Sequence, residues 1–364
     1  MVKRKLIIDT DCGGDDALAI MLALSMPDVE IAMITTCWGN VDVDQGMQNM
    51  AKLLDLYDRD IPLFRGADGP LMGTRETVQW GGFGADGFGD ADFPKSVRPS
   101  LASKKHAALA IVDVLSSIDP LDDEVVWQLV TLGPLTNIAL ALRLAPSIFN
   151  HLGSREIPGL VVMGGAMEAK GNSNLASEFN IHCDPEAAQI VFMHRGLRDP
   201  FYLVSWELTV NCAMTWDFYD GMIGRKRLSD GTRKAVNQNR IQIFIEKMLQ
   251  RLEVFTRPAG DGTKADTGDA ESTQDVTCVI PDAVAMVAAL IPNFIDDSFD
   301  SYVAVELHGA QTRGMTCIDW YGTEQSMAKK GRWRNAKIIT KCNVDTFLSA
   351  MRSIVSSVHV PAAV

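Results

Sequence analysis

Short, uniformly apolar runs alternate along the chain with segments whose apolar residues recur at helical spacing. Leu6–Ile8, Ile31–Thr35, Val125–Leu132, Leu160–Met163 and Tyr202–Val204 read as buried strands. Asp15–Leu24, Val43–Tyr57, Pro134–Leu144 and Pro185–Met193 read as the helices between them. Strands apolar on both faces and separated by helices specify a mostly parallel central sheet with helices on both faces. The expected architecture is a single α/β domain over residues 1–364, with its active site at the strand C-termini. No internal repeat or coiled-coil heptad interrupts the pattern.

Two stretches do break the alternation. Residues 66–100, rich in Gly, Asp and Pro, read as one long loop that includes Trp80 and Phe83, and residues 257–276 read as a mobile surface insertion. Loops of that length in a compact domain are usually functional or disordered. Residues 236–255 carry the spacing of one amphipathic helix ending near Phe255.

Composition narrows the class. Of 364 residues, 47% are hydrophobic and 22% charged, the balance of a globular protein with a sizeable core. A formal net charge of −12 opposes nucleic acid or an anionic membrane as partner. Leu6-Ile7-Ile8 is too short for the apolar core of a signal peptide, and no stretch approaches the roughly 20 apolar residues of a membrane span. Seven scattered cysteines without a Cys-x-x-Cys pair favour free thiols in a reducing compartment. A cytoplasmic location is the expectation.

The chemistry concentrates in Asp9-Thr10-Asp11-Cys12-Gly13-Gly14-Asp15-Asp16, four carboxylates in eight residues between a strand and a helix. Carboxylates so crowded repel one another unless some are protonated or a cation sits among them. Oxygen donors alone suit a hard cation, Ca²⁺ or Mg²⁺, rather than zinc. One or two of these aspartates would pass as helix N-terminal acids; four favour a site. A rival is the aspartyl nucleophile and acid of a haloacid-dehalogenase-type phosphatase, Asp9 and Asp11. That family expects Thr or Val where Gly13 stands, and it leaves Asp15-Asp16 unexplained.

The same loop resembles the N-terminal motif of the calcium-dependent nucleoside hydrolase (inosine-uridine-preferring nucleoside hydrolase) family. Further motifs follow in that family's order: Thr36-Cys37-Trp38-Gly39-Asn40, Leu132-Gly133-Pro134-Leu135-Thr136-Asn137, Met163-Gly164-Gly165 with Gly171-Asn172, Glu178-Phe179-Asn180 and Asp184-Pro185-Glu186, and Pro281-Asp282-Ala283. Gly314-Met315-Thr316 and Asp319-Trp320 resemble its closing strands. The likeness implies hydrolysis of the N-glycosidic bond of ribonucleosides by a small-molecule enzyme that forms a homodimer or homotetramer. It implies Ca²⁺ held by Asp11, Asp16, Asp282 and the carbonyl of Leu132, with Asp11 as general base toward a Ca²⁺-bound water. It implies Asp15, Asn40, Asn172, Glu178 and Asn180 as the ribose contacts. A nucleoside-binding protein that kept the fold and lost catalysis is the alternative from another class.

Two departures bear on the base. Pro281 stands where many relatives have a histidine that protonates the leaving base, and Phe83-Gly84-Ala85-Asp86-Gly87 replaces a His-Gly-x-x-Gly loop. Both substitutions remove imidazoles and leave aromatic rings, which resembles the purine-specific branch, its inosine–guanosine type included. Trp80, then Phe83 and Trp206, are the rings expected against the base. His182 is expected on the same side of a strand as Asn180, and Glu207 as support behind the site.

Overall fold

The computed structural model describes residues 2–75, 81–98, 102–119, 124–196, 200–229, 232–257 and 277–356. Seven strands alternate with helices through the first two thirds of the chain: β1 (Lys3–Thr10), β2 (Val29–Thr36), β3 (Leu63–Arg65), β4 (Ala102–Ser103), β5 (Val125–Thr131), β6 (Leu160–Met163) and β7 (Phe201–Val204). They run parallel in the spatial order β4-β3-β2-β1-β5-β6-β7. Ala336–Cys342 adds a parallel strand beside β7, and Ile295–Ser301 closes that edge antiparallel.

The apolar alternation expected from sequence is visible in how β1 divides the core. Leu6 and Ile8 pack on one face with the helices Gly14–Ser25 (α1), Pro281–Leu290 and Val344–Ser356, whereas Ile7 packs on the other with Ala107–Ser116, Thr136–Leu144 and Pro185–Phe192. Each Leu or Ile fully buried in these layers contributes about 1.5–3 kcal/mol. Sheet and helices therefore form a rigid three-layer frame for the loops at the strand ends.

The frame also fixes where a ligand goes. From β1 the chain winds outward through β2, β3 and β4, then returns to the opposite side of β1 as β5. The order reverses between β1 and β5, and the crevice beyond the carboxyl ends of strands at such a switch is where open α/β sheets bind ligands. Asp9 pairs with Thr35 on one side and Thr131 on the other, so the loops after β2, β1 and β5 leave the sheet side by side.

Three sequence expectations change. The stretch 236–255 is two helices, Arg240–Met248 and Gln250–Thr256, hinged at Leu249, rather than one. The segment after Glu178 is a short helix, Phe179–Cys183, not a strand, so period-two alternation does not relate Asn180 to His182. Within 66–100, Gly81–Phe83 forms a 3₁₀ turn. Most of the insertion read at 257–276 lies outside the described residues, as does Trp80. Among the described residues no helix is long and apolar enough to cross a membrane.

Candidate active site

The acidic loop begins where β1 ends. Cys12 takes a left-handed backbone (φ 67°), which turns the chain sharply enough for α1 to start two residues later. Asp11 lies in a slot between two glycines: a Cβ on Gly39 would stand 2.0 Å from its Oδ2, and one on Gly133 would stand 2.9 Å from its Cβ. The backbone N–H of Asn40 donates to Asp11 Oδ2 at 2.6 Å, and the Asn40 side-chain amide lies 3.4 Å from Oδ1. Asp16 is held from behind, accepting from the Gly13 N–H at 2.8 Å and from the Thr10 hydroxyl.

Asp282 comes from far along the chain. It stands in the first turn of Pro281–Leu290, a helix buried over nearly its whole length, and its side chain reaches Asp15 and Asp16. Asp15, Asp16 and Asp282 each present a carboxylate oxygen, all within 4.8 Å of one another. Asp11 joins them through a side-chain hydrogen bond with Asp16.

All four carboxylates are buried. Burial first, and then one another's charge, pushes the carboxyls of Asp11, Asp15 and Asp282 well above the usual carboxylate range. Asp15 Oδ1 is buried with no hydrogen-bond partner among the described residues. A nest of oxygen donors with an orphaned carboxylate oxygen fits a hard divalent cation, which would relieve both the repulsion and the missing bond. The Leu132 carbonyl lies at the end of β5 and accepts from Asn180 Nδ2 at 2.8 Å, which sets Asn180 at the same strand ends.

Glu178 caps the Phe179–Cys183 helix, its Oε1 accepting from Asn180 N at 2.9 Å. Its Oε2 accepts from Gly165 N at 2.8 Å and from Ile181 N at 3.2 Å. Burial raises the Glu178 carboxyl to about 7 against those hydrogen bonds. Asn172 is exposed on the preceding loop, and its Oδ1 accepts from Phe179 N at 2.9 Å. His182 hydrogen-bonds through Nδ1 to Ser173 Oγ at 2.8 Å on that loop.

Around this centre the remaining expected residues divide. Phe83 is almost wholly buried, its ring 3.0 Å from where a Cβ on Gly14 would stand, so it packs against the start of α1. Trp206 is half-buried at the start of Trp206–Asn211, and its backbone N–H donates to Gly165 O at 2.9 Å. Glu207 accepts from the N–H groups of Met167 at 2.7 Å and Glu168 at 2.8 Å, bracing the loop after β6.

Asp9 is the residue the phosphatase alternative needs, and its hydrogen bonds run to Thr35 and Asn137. It is fully buried and accepts from Thr35 Oγ1 and from Asn137 Nδ2 at 2.8 Å. Burial lifts it to about 7. Asp9 Oδ1 takes both of those bonds, so Asp9 braces β2 and the Thr136–Leu144 helix rather than serving as the phosphatase nucleophile. Asn137 also donates to the Thr36 carbonyl at 3.0 Å and accepts from Ala67 N at 2.9 Å, a bridging role that chain spacing does not reveal. Gly39 and Gly133 act in a way equally unseen from sequence, since their missing side chains make room for Asp11.

Comparison with known proteins agrees with this geometry. The family model described as inosine-uridine preferring nucleoside hydrolase matches residues 6–349. The solved structure of an inosine-guanosine nucleoside hydrolase is 61% identical, with a TM-score of 0.90, covering 98% of this chain and 99% of that one. An inosine-uridine preferring nucleoside hydrolase of Leishmania major is 30% identical over 87% of this chain and 88% of its own length. A non-specific ribonucleoside hydrolase RihC of Salmonella enteritidis is 32% identical over 94% of each chain. Shorter matches to curated relatives, 40% and 39% identical, span 57% and 59% of those proteins. With one family model spanning nearly the whole sequence and the acidic loop at its sheet's switch point, this chain belongs to the inosine-uridine preferring nucleoside hydrolase family.

Proposed function

We propose that this chain hydrolyses the N-glycosidic bond of purine ribonucleosides, inosine and guanosine foremost, with Ca²⁺ in the acidic nest. The observation that carries the proposal is the convergence of Asp11, Asp15, Asp16 and Asp282 at the switch point of the sheet. Asp11, Asp16, Asp282 and the Leu132 carbonyl would hold the ion. When bound, a divalent ion lowers the pKa of a coordinated water and orients sugar hydroxyls.

The chain's own groups supply the rest. Asp11 accepts the proton of the attacking water, and the Asn40 N–H on its Oδ2 keeps the carboxylate aimed. Asp15, Asn40, Asn172, Glu178 and Asn180 bind the ribose hydroxyls, since carboxylates accept and amides both donate and accept. Asn180 spends its Nδ2 on the Leu132 carbonyl, which leaves Oδ1 to accept from a hydroxyl. Trp80, outside the described residues, is the first ring assigned to stack on the base, with Phe83 and Trp206 as the next candidates. Purine preference draws support from the inosine-guanosine hydrolase likeness and from Pro281, which offers no proton to a leaving base.

The test is chromatography of inosine, guanosine, adenosine, uridine and cytidine after incubation with the protein and Ca²⁺. Hypoxanthine and guanine should appear faster than uracil or cytosine. Equal release from uridine and inosine would remove the purine assignment. Binding of a ribonucleoside with no free base formed would favour the non-catalytic alternative.

A further inference from the structure

The peptide that joins Cys12 to Gly13 is held at both ends. Its N–H, on Gly13, donates to Asp16 Oδ2 at 2.8 Å, and its carbonyl, on Cys12, accepts from Asn49 Nδ2 at 3.2 Å. The two groups point in opposite directions from one rigid plane, so a bond at the carbonyl also sets where the N–H aims. The plane follows a left-handed residue, Cys12 at φ 67°, a conformation that needs outside support in a residue with a side chain. The Cys12 N–H finds some of that support in Thr10 Oγ1 at 3.0 Å, the hydroxyl that itself donates to Asp16. Asn49 supplies the rest.

Asn49 is wholly buried on the helix Val43–Tyr57. Its Nδ2 also donates to the Asp86 carbonyl at 2.8 Å, and Gln45 Nε2 donates to its Oδ1 at 2.9 Å. Two carbonyls can only accept, so the amine end of the side chain must face them. Val43, Met50, Leu53 and Leu54, also buried on that helix, are apolar, so packing alone asks for no amide at this position. Asp86 belongs to the loop that carries Phe83, whose ring packs against the start of α1. Gly87, at φ 76°, lets that loop come close: a Cβ there would stand 3.2 Å from Asn49 Nδ2 and 3.3 Å from the Cys12 carbonyl oxygen. One side chain thus ties the acidic loop to the 81–90 loop.

We infer that Asn49 is a positioning residue for the hydrolysis, a clamp that keeps the Gly13 N–H on Asp16 and fastens the 81–90 loop to the same peptide. The inference rests on the reading of the acidic nest as a Ca²⁺ site. Asn49 acts through Asp16 and not on the substrate. Groups that orient a ligating side chain from behind typically contribute about 10–100-fold to metal affinity.

The experiment is calorimetric titration of the chelated full chain with Ca²⁺ for wild type, Asn49→Leu and Gln45→Leu, beside urea unfolding of the same chelated proteins. Asn49→Leu keeps the volume and loses both donated bonds, so its Ca²⁺ affinity should fall about 10–100-fold. Gln45→Leu leaves the amide in place without the bond that steers it, and should weaken Ca²⁺ by about threefold. A folded Asn49→Leu with wild-type Ca²⁺ affinity would overturn the inference, since a lower urea midpoint alone marks a residue that only packs. Where Asn49→Leu does not fold, Gln45→Leu decides: weaker Ca²⁺ binding supports the clamp and wild-type affinity overturns it. A wild-type chain that binds no Ca²⁺ would instead overturn the metal reading, and the clamp with it.

Discussion

The backbone N–H of Asn40 donates to Asp11 Oδ2 at 2.6 Å, which ties the loop after β2 to the carboxylate at the end of β1. One oxygen of Asp11 is thereby pinned while the other side of the group faces Asp16. Asp11→Asn removes both a metal ligand and the proposed base, so kcat should fall by about 10²–10⁴-fold. Asp15→Asn, which leaves Asp11 in place, should lose less. Steady-state kinetics on inosine measure both, and an Asp11→Asn enzyme with near wild-type kcat would refute the base assignment.

The glycine slot gives a second expectation. An alanine at Gly39 would place its Cβ 2.0 Å from Asp11 Oδ2, closer than any real contact, and must displace either the carboxylate or the loop. Gly39→Ala should therefore cost about 10²-fold or more in kcat while the far-ultraviolet circular dichroism is unchanged. Retained turnover would mean that Asp11 does not need its present position.

Protonation of buried acids sets a pH dependence. Burial raises Glu178 from 4.5 to about 7, so between those values the folded state holds a proton that the unfolded chain releases. Stability from this group is fully present below the unfolded pKa and is lost as pH rises toward 7. Chelator-treated protein should thus unfold at lower urea concentration at pH 8 than at pH 5, with a contribution on the order of 3 kcal/mol from Glu178. Asp9, also raised to about 7, adds a loss of the same sign, so Glu178→Gln should lessen the slope without abolishing it, and an unchanged slope would refute the share given to Glu178.

Glu207 predicts a structural effect with a kinetic consequence. Its carboxylate is the acceptor for Met167 and Glu168 N–H, and removing it leaves two donors of the loop after β6 without their partner. Glu207→Ala should lose about 2 kcal/mol in urea unfolding and raise KM, while Glu207→Gln, which keeps one acceptor oxygen, should lose less. Equal stability of all three proteins would reduce Glu207 to a bystander.

The parallel half of the sheet was legible because strands such as Leu160–Met163 are buried on both faces and leave unbroken apolar runs. The edge was not. Ile295–Ser301 reads IDDSFDS, with Asp296 and Asp297 exposed at the border, so no apolar run announces a strand. Leu249 divides two helices without a Gly or Pro to mark the break. The helix Phe179–Cys183 was not legible because five residues are too few to show its period, and Glu is not a favoured N-cap residue. The Asp9 pocket depends on Thr35 and Asn137 arriving from other strands and helices, and spacing along the chain carries no such information.

If the acidic nest runs the hydrolysis through Ca²⁺, turnover must follow the ion. The most direct measurement is hypoxanthine release from inosine by exhaustively chelated protein, titrated with Ca²⁺. Turnover should start near zero, rise with Ca²⁺ and saturate, and Asp282→Asn should shift the curve to higher Ca²⁺ because the ion loses the ligand that the Pro281–Leu290 helix supplies. Full turnover in the chelated protein, or recovery with zinc but not with calcium, would contradict the account.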